Sequence, residues 1–183
     1  MNKKMAAAGL LVLTAAALAG AKEAEPLRVV ESVDFSRYAG VWYEVARLPN
    51  RFEEKCAGDV SAEYTPRADG RIKVVNRCRG KDGRMTSAEG VAKPAGGRGP
   101  NSRLKVRFAP GFLSFLPFVW GDYQIVELSP DYGHAVVGSP DRRYLWVLSR
   151  NPRMDEATYL RLTGAARSQG FDVGRMIRTR HGF

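Results

Sequence analysis

Hydrophobic and polar residues alternate with a period of two along most of this chain. At 40–48, Val41, Tyr43 and Val45 alternate with Trp42, Glu44 and Ala46 in a β-branched and aromatic run, and Gly40 frees the backbone to turn into it. The residues just before it, 34–38, read as one short helical turn. Further alternating stretches follow at 59–65, 71–79, 85–92, 103–108, 119–128, 135–139 and 143–150. They are separated by turn chemistry such as Asp69-Gly70 and Lys81-Asp82-Gly83 and by a Pro/Gly-rich loop at 94–100. Eight strands with short connections and no strand–helix–strand alternation predict an all-β fold, an eight-stranded antiparallel up-and-down barrel. Such a barrel leaves an interior just wide enough for one small ligand. Over 153–169 the period changes: Met154, Thr158, Leu162, Ala165 and Ala166 share one helical face. Asp155 and Glu156 suit the positive end, and Gly170 is placed as a stop, so one C-terminal α-helix packs outside the barrel. Residues 171–177 alternate weakly and read as a short last strand.

Gly40-Val41-Trp42-Tyr43-Glu44, Gly121-Asp122-Tyr123 and Leu148-Ser149-Arg150, in this order and at this spacing, resemble the three signature motifs of the lipocalin family. The resemblance is closest to its bacterial outer-membrane members of the Blc type, with the apolipoprotein D group more distant. It runs from about Val33 to Ile177 and is also carried by Arg51-Phe52-Glu53, Tyr64-Thr65-Pro66, Ser139-Pro140-Asp141-Arg142 and Gly170-Phe171-Asp172-Val173. One departure is Gly121, where the family usually has threonine.

The resemblance implies roles. Gly40, Trp42, Asp122, Tyr123 and Arg150 form the structural signature, with Trp42 in the closed end and Arg150 across its indole, bonded to carbonyls of the 35–38 turn. The loop at 49–58 becomes a lid over the open end. Parity with Trp42 and Arg150 points Glu44, Ala46, Leu48, Tyr144, Trp146 and Leu148 inward, and Val74, Asn76, Val106, Phe108, Tyr123 and Ile125 complete the expected ligand lining. A mostly apolar chamber of this kind suits one acyl chain, at about 0.8 kcal/mol per buried methylene, so the expected ligand is a fatty acid or lysophospholipid. The other reading of the same residues is a barrel filled by its own side chains.

The first 21 residues carry a cationic start (Asn2-Lys3-Lys4), an apolar stretch at 6–18 and small residues for cleavage, the pattern of a signal peptide. Residues 22–32 then read as an N-terminal extension, 33–178 as the barrel with its helix, and 179–183 as a tail. Leu18-Ala19-Gly20 looks like the start of a lipoprotein signal, yet Ala21 stands where the acylated cysteine is expected. The expectation is a periplasmic protein, peripheral at most at the outer membrane.

Charge changes the picture of partners. Of 29 Lys+Arg, the leader holds Lys3 and Lys4, leaving 27 against 19 Asp+Glu, a net +8. This favours anionic partners, and an anionic membrane surface fits an exported protein. The arginines are scattered over strands and turns without a basic helix or aromatic stripe, so nucleic acid is not expected. Phe112, Leu113, Phe115, Leu116 and Phe118 crowd the loop before the sixth strand. They read either as a tip that touches membrane or a second copy, or as packing under the lid, which leaves monomer and homodimer both open.

Two cysteines, Cys56 and Cys78, in an exported chain invite a disulfide; free thiols in a reducing compartment are the alternative. In the lipocalin frame they fall in the loop after the first strand and at the end of the third, both at the open rim. A few lipocalins are isomerases with a cysteine inside the barrel, which makes a lipid-modifying enzyme the rival reading. His134 and His181 are far apart in the chain, and no nucleophile elbow, phosphate loop, HExxH or dinucleotide fingerprint is present. No catalytic residue, metal or cofactor is assigned.

Overall fold

The computed structural model describes residues 25–182. The leader and Ala21 lie outside the described residues. Eight strands, β1 (Gly40–Arg47), β2 (Cys56–Pro66), β3 (Ile72–Gly80), β4 (Met85–Pro94), β5 (Arg103–Arg107), β6 (Gly121–Leu128), β7 (His134–Gly138) and β8 (Leu145–Ser149), each pair antiparallel with the next. Because β1 pairs with both β2 and β8, the sheet closes into a barrel. A short helix α1 (Phe35–Tyr38) precedes it, with Asp34 accepting the Ser36 and Arg37 N–H groups. A longer helix α2 (Glu156–Ser168), capped by Asp155, follows.

Several boundaries differ from the sequence reading. β6 begins at Gly121, because Pro117–Val119 forms a 3-10 turn ahead of it. β2 starts at Cys56, so that cysteine lies on a strand and not in the loop. Residues 171–177 do not make a strand: Val173–Arg175 is a 3-10 turn, and the last strand, β9, is Ile177–Arg178 on the edge of β1. Nor do 179–182 hang free as a tail. β1 and β2 part after the Tyr43–Ser61 pair, and the C-terminal residues occupy the gap. Thr179 N–H donates to Val45 O at 2.9 Å, Asp59 N–H to Arg180 O at 2.8 Å, and Gly182 N–H to Asp59 Oδ1 at 2.7 Å. Arg79 Nε, 2.6 Å from the same carboxylate, helps hold Asp59 below its ordinary acidity range. At the other end of the chain 25–32 is equally bound in, with Val30 N–H donating to Ile125 O at 3.0 Å and Leu27 buried.

Two apolar cores result. One fills the barrel from the bottom and includes Tyr38, Trp42, Tyr64, Val74, Ile125, Val137 and Leu148. The other lies between the barrel wall and α2 and includes Val45, Ala46, Val136, Leu145, Val147, Leu162, Ala166 and Phe171. Strands β7 and β8 feed both, which is why 135–139 reads as nearly continuous hydrophobic sequence. Gly138 lets the Phe171 ring lie directly on β7: a Cβ there would sit 2.5 Å from Phe171 Cζ.

The floor is built around Trp42, fully buried with its Nε1–H donating to Tyr38 O at 2.8 Å. The Arg150 guanidinium lies 4.0 Å from the indole centre. Its N–H groups reach Arg37 O (2.8 Å), Ala39 O (2.9 Å), Val41 O (2.8 Å) and Tyr132 O (3.3 Å). A planar five-donor fork can bond these carbonyls while stacking on a ring; an ammonium cannot. Arg150→Lys is therefore expected to cost roughly 1–3 kcal/mol of stability despite keeping the charge, measured as a lower urea midpoint at unchanged slope.

Candidate functional site

Following the chain up and down the barrel puts the end of β1, the start of β2 and the β3–β4, β5–β6 and β7–β8 connections at the end opposite Trp42. This is the mouth. Just above the floor, Tyr38 and Tyr123 hydroxyls are 2.8 Å apart, and Tyr123 O–H donates to Tyr64 Oη at 2.9 Å. Burial pushes the Tyr38 and Tyr123 phenols well above their ordinary range and Tyr64 to about 12, so all three stay protonated hydrogen-bonding groups. Sequence reasoning placed Tyr123 here but missed Tyr38 and Tyr64.

Of the expected lining, Glu44, Val74, Ile125 and Leu148 are buried, while Asn76, Val106, Tyr123, Tyr144 and Trp146 are half-buried, so the wall keeps accessible surface toward the mouth. Phe108, at the rim just past β5, lays its ring over Gly90, where a Cβ would come within 2.7 Å of it. Asp122 faces outward and pairs with Lys105 at 2.7 Å.

Ala46 and Leu48 are corrections. The β1–β8 register shifts between Glu44 and Ala46, so Glu44 opposes Leu148 while Ala46 opposes Val147. One extra residue at Val45 reverses the faces of everything after it. Ala46 and Leu48 thus join the core under α2, and Arg47, opposite Trp146, turns to the inner wall in their place.

Arg47 organises the mouth. Its Nη1–H donates to Glu44 Oε1 at 2.7 Å, and its Nε is 3.0 Å from Glu53 Oε2 on the lid loop. Asn50 folds that loop by accepting the Phe52 and Glu53 N–H groups at 3.0 and 3.2 Å and donating to Glu53 Oε2 at 2.8 Å. Trp146 Nε1–H is 3.4 Å from both Glu53 oxygens. Tyr144 stacks on Trp146 with centroids 6.0 Å apart, and Phe52 covers Tyr144 at 5.6 Å. From the C-terminal segment, Thr179 Oγ1–H bonds Glu44 Oε1 and the His181 ring pairs with Glu44 O at 2.8 Å. Burial, then the charge of Glu53, raises the Glu44 carboxyl to about 8, so it is protonated at neutral pH. A cleft of about 280 Å³ opens beside the pair, lined by Arg47, Asn50, Glu53, Cys56 and Ile177 among others. Sequence reasoning missed Arg47, Glu53 and Thr179; a lone charge between Val45-Ala46 and Leu48 was the available signal for Arg47.

Cys56 and Cys78 form a disulfide that ties the start of β2 to β3, so the chain's two cysteines leave no thiol for nucleophilic chemistry. In the β5–β6 connection Phe112, Phe115 and Phe118 are 76%, 76% and 80% exposed, which overturns packing under the lid for these three; Leu113 and Leu116 are half-buried. Behind them Trp120 carries Lys93 and Arg107 over its ring at 4.3 and 5.1 Å.

The family model for the lipocalin-like domain matches residues 33–181. Temperature-induced lipocalin-1 of Arabidopsis thaliana is 40% identical over 158 residues, covering 86% of this chain and 84% of that protein. Outer membrane lipoprotein Blc of Escherichia coli (strain K12) is 39% identical over 150 residues, covering 81% and 80%. Apolipoprotein D of Mus musculus is 30% identical over 159 residues, covering 82% and 78%. Among solved structures, insecticyanin from the tobacco hornworm Manduca sexta shares the fold with a TM-score of 0.66 at 20% identity over 86% of each chain.

The buried Glu44 carboxyl makes stability depend on pH. Its folded-state value of about 8 lies above the ordinary 4.5, so between these the folded chain keeps a proton that the unfolded chain has lost. Its contribution is whole below the lower value, falls by at most about 1.4 kcal/mol per pH unit as pH rises, and levels off above the upper one. Urea unfolding from pH 5 to 9 is expected to show a decline that Glu44→Gln flattens.

Proposed function

The chain belongs to the lipocalin family, and from that premise we propose that its barrel binds and carries one small hydrophobic ligand, a fatty acid or lysophospholipid, in the bacterial cell envelope. The carrier works by burial, without making or breaking bonds. The observation that carries this reading is the graded wall: a floor sealed by Trp42 and Arg150, an apolar middle, and half-buried Asn76, Val106, Tyr144 and Trp146 under a lid held by side-chain contacts. At about 0.8 kcal/mol per methylene a long chain gains roughly 12 kcal/mol on burial, and ordering costs reduce this to about micromolar affinity.

The disulfide fits an oxidising compartment, and the similarity to a protein named as an outer membrane lipoprotein supports an envelope location. Ala21 stands where an acylated cysteine is expected, and the membrane contact we propose is peripheral. The exposed Phe112, Phe115 and Phe118, with the half-buried Lys93 behind them, are the surface we assign to it: rings enter the headgroup boundary and the ammonium meets anionic lipid. The tip stands at the mouth, so docking brings the opening to the bilayer.

Native mass spectrometry of protein purified from its own compartment, followed by organic extraction, is expected to release about one fatty acid or lysophospholipid per chain. Trp146→Ala should weaken rebinding about tenfold by removing the platform under Tyr144. An apo mass that also refuses added lipid would overturn the carrier reading. In vesicle sedimentation, binding to phosphatidylglycerol-containing vesicles but not to pure phosphatidylcholine should disappear when Phe112, Phe115 and Phe118 are all changed to serine. Unchanged binding would remove the tip from the account.

A further inference from the structure

We propose that Arg47 anchors the ligand by a carboxylate, and that Glu53 of the lid loop is the internal carboxylate this head group displaces. This inference rests on the carrier reading and narrows its ligand to a long-chain carboxylic acid.

The bulge at Val45 turns Arg47, a residue only 8% exposed, to the inner wall of the barrel, opposite Trp146. A buried arginine needs anionic or carbonyl acceptors for its donors, and this one is only partly supplied. Its Nη1–H donates to Glu44 Oε1 at 2.7 Å. Its Nε is close enough to Glu53 Oε2, at 3.0 Å, to pair by charge, yet the N–H is out of line and finds no hydrogen-bond acceptor among the described residues. Glu44 Oε2 is likewise buried without a partner. Two polar atoms of one ion-pair cluster are therefore left for a group that enters beside them, and the cleft lined by Arg47, Asn50 and Glu53 gives that group room.

Charge decides which group. With Glu44 protonated, Arg47 has one full counter-ion, Glu53, and that residue sits on the lid loop and not on the barrel wall. A fatty-acid carboxylate has the same two-oxygen shape as the Glu53 head, so the exchange keeps Arg47 paired throughout. A neutral ester that moved Glu53 aside would strand the buried cation, which is the costly outcome. The Glu44 hydroxyl supplies a donor to the incoming carboxylate, and the stacked Tyr144 and Trp146 rings lie where its first methylenes pass. When Glu53 is displaced, the lid loses its contacts to Arg47 and Trp146, so loading and lid release are one event.

The test is calorimetric titration of the delipidated full chain with palmitate and with methyl palmitate, which differ only in the anion. Palmitate is expected to bind about tenfold tighter or more, as for loss of a charged hydrogen bond. Arg47→Gln should erase that preference while the ester still binds. Glu53→Gln, a lid change that leaves the barrel wall intact, should strengthen palmitate severalfold and alter the ester little; it decides the matter should Arg47→Gln fail to fold. Equal binding of the two lipids to the wild type, or a palmitate preference untouched by Glu53→Gln, would overturn the anchor and leave the carrier reading standing. Binding of neither lipid would overturn both.

Discussion

The contact between Arg150 and Trp42 is the constraint on which the rest of the barrel depends. A closed eight-stranded sheet has two open ends, and at one of them the strand termini expose carbonyls that no neighbour in the sheet can satisfy. Arg150 binds four carbonyls at that end, from α1, the turn into β1, the first residues of β1 and the β6–β7 connection, and covers the indole with the same group. An apolar stopper alone would leave the carbonyls unpaired, and a carboxylate partner would add a second buried charge. With the floor shut by neutral acceptors, the barrel can open only at its other end.

The mouth uses the same side chain differently. Arg47 is held by carboxylates, one of them protonated and fixed to the wall, the other borne on the lid loop. Backbone carbonyls in a strand register cannot leave without unfolding; a glutamate on a loop can. The two arginines thus mark a permanent end and an exchangeable one. The C-terminal residues complete this arrangement, since Thr179 and His181 brace Glu44 from the gap where β1 and β2 part. The segment that closes the wall thus also touches the carboxyl inside it.

Function then concentrates at one end. The lid, the cleft beside Arg47, the disulfide that ties β2 to β3 and the exposed phenylalanines of the β5–β6 connection all stand at the mouth, while α2 and the N-terminal segment pack along the outside of the wall. The disulfide pins the base of the lid to a strand, so a movement that frees Glu53 need not disturb β2.

Much of this was legible in the order of residues. Period-two alternation is a local consequence of strand geometry, so eight strands could be read off directly, and the change of period at 153–169 marked α2 for the same reason. Trp42, Arg150, Gly40 and the cysteines stood out because each has a side chain or backbone freedom suited to one role. What could not be read was which way β1 faces beyond Glu44. Strict alternation put Ala46 and Leu48 inside, and the bulge at Val45 moved them under α2 and brought Arg47 to the lumen. A bulge is settled by the pairing with β8 and by what packs on each face, and neither is a property of β1 alone. The same holds for Thr179, which meets Glu44 across 135 residues of chain, and for the Glu44 proton, which exists because the folded wall excludes water. The sequence by itself determined the periods, the elements and the stopper of the barrel; the tertiary structure decided register, burial and therefore charge.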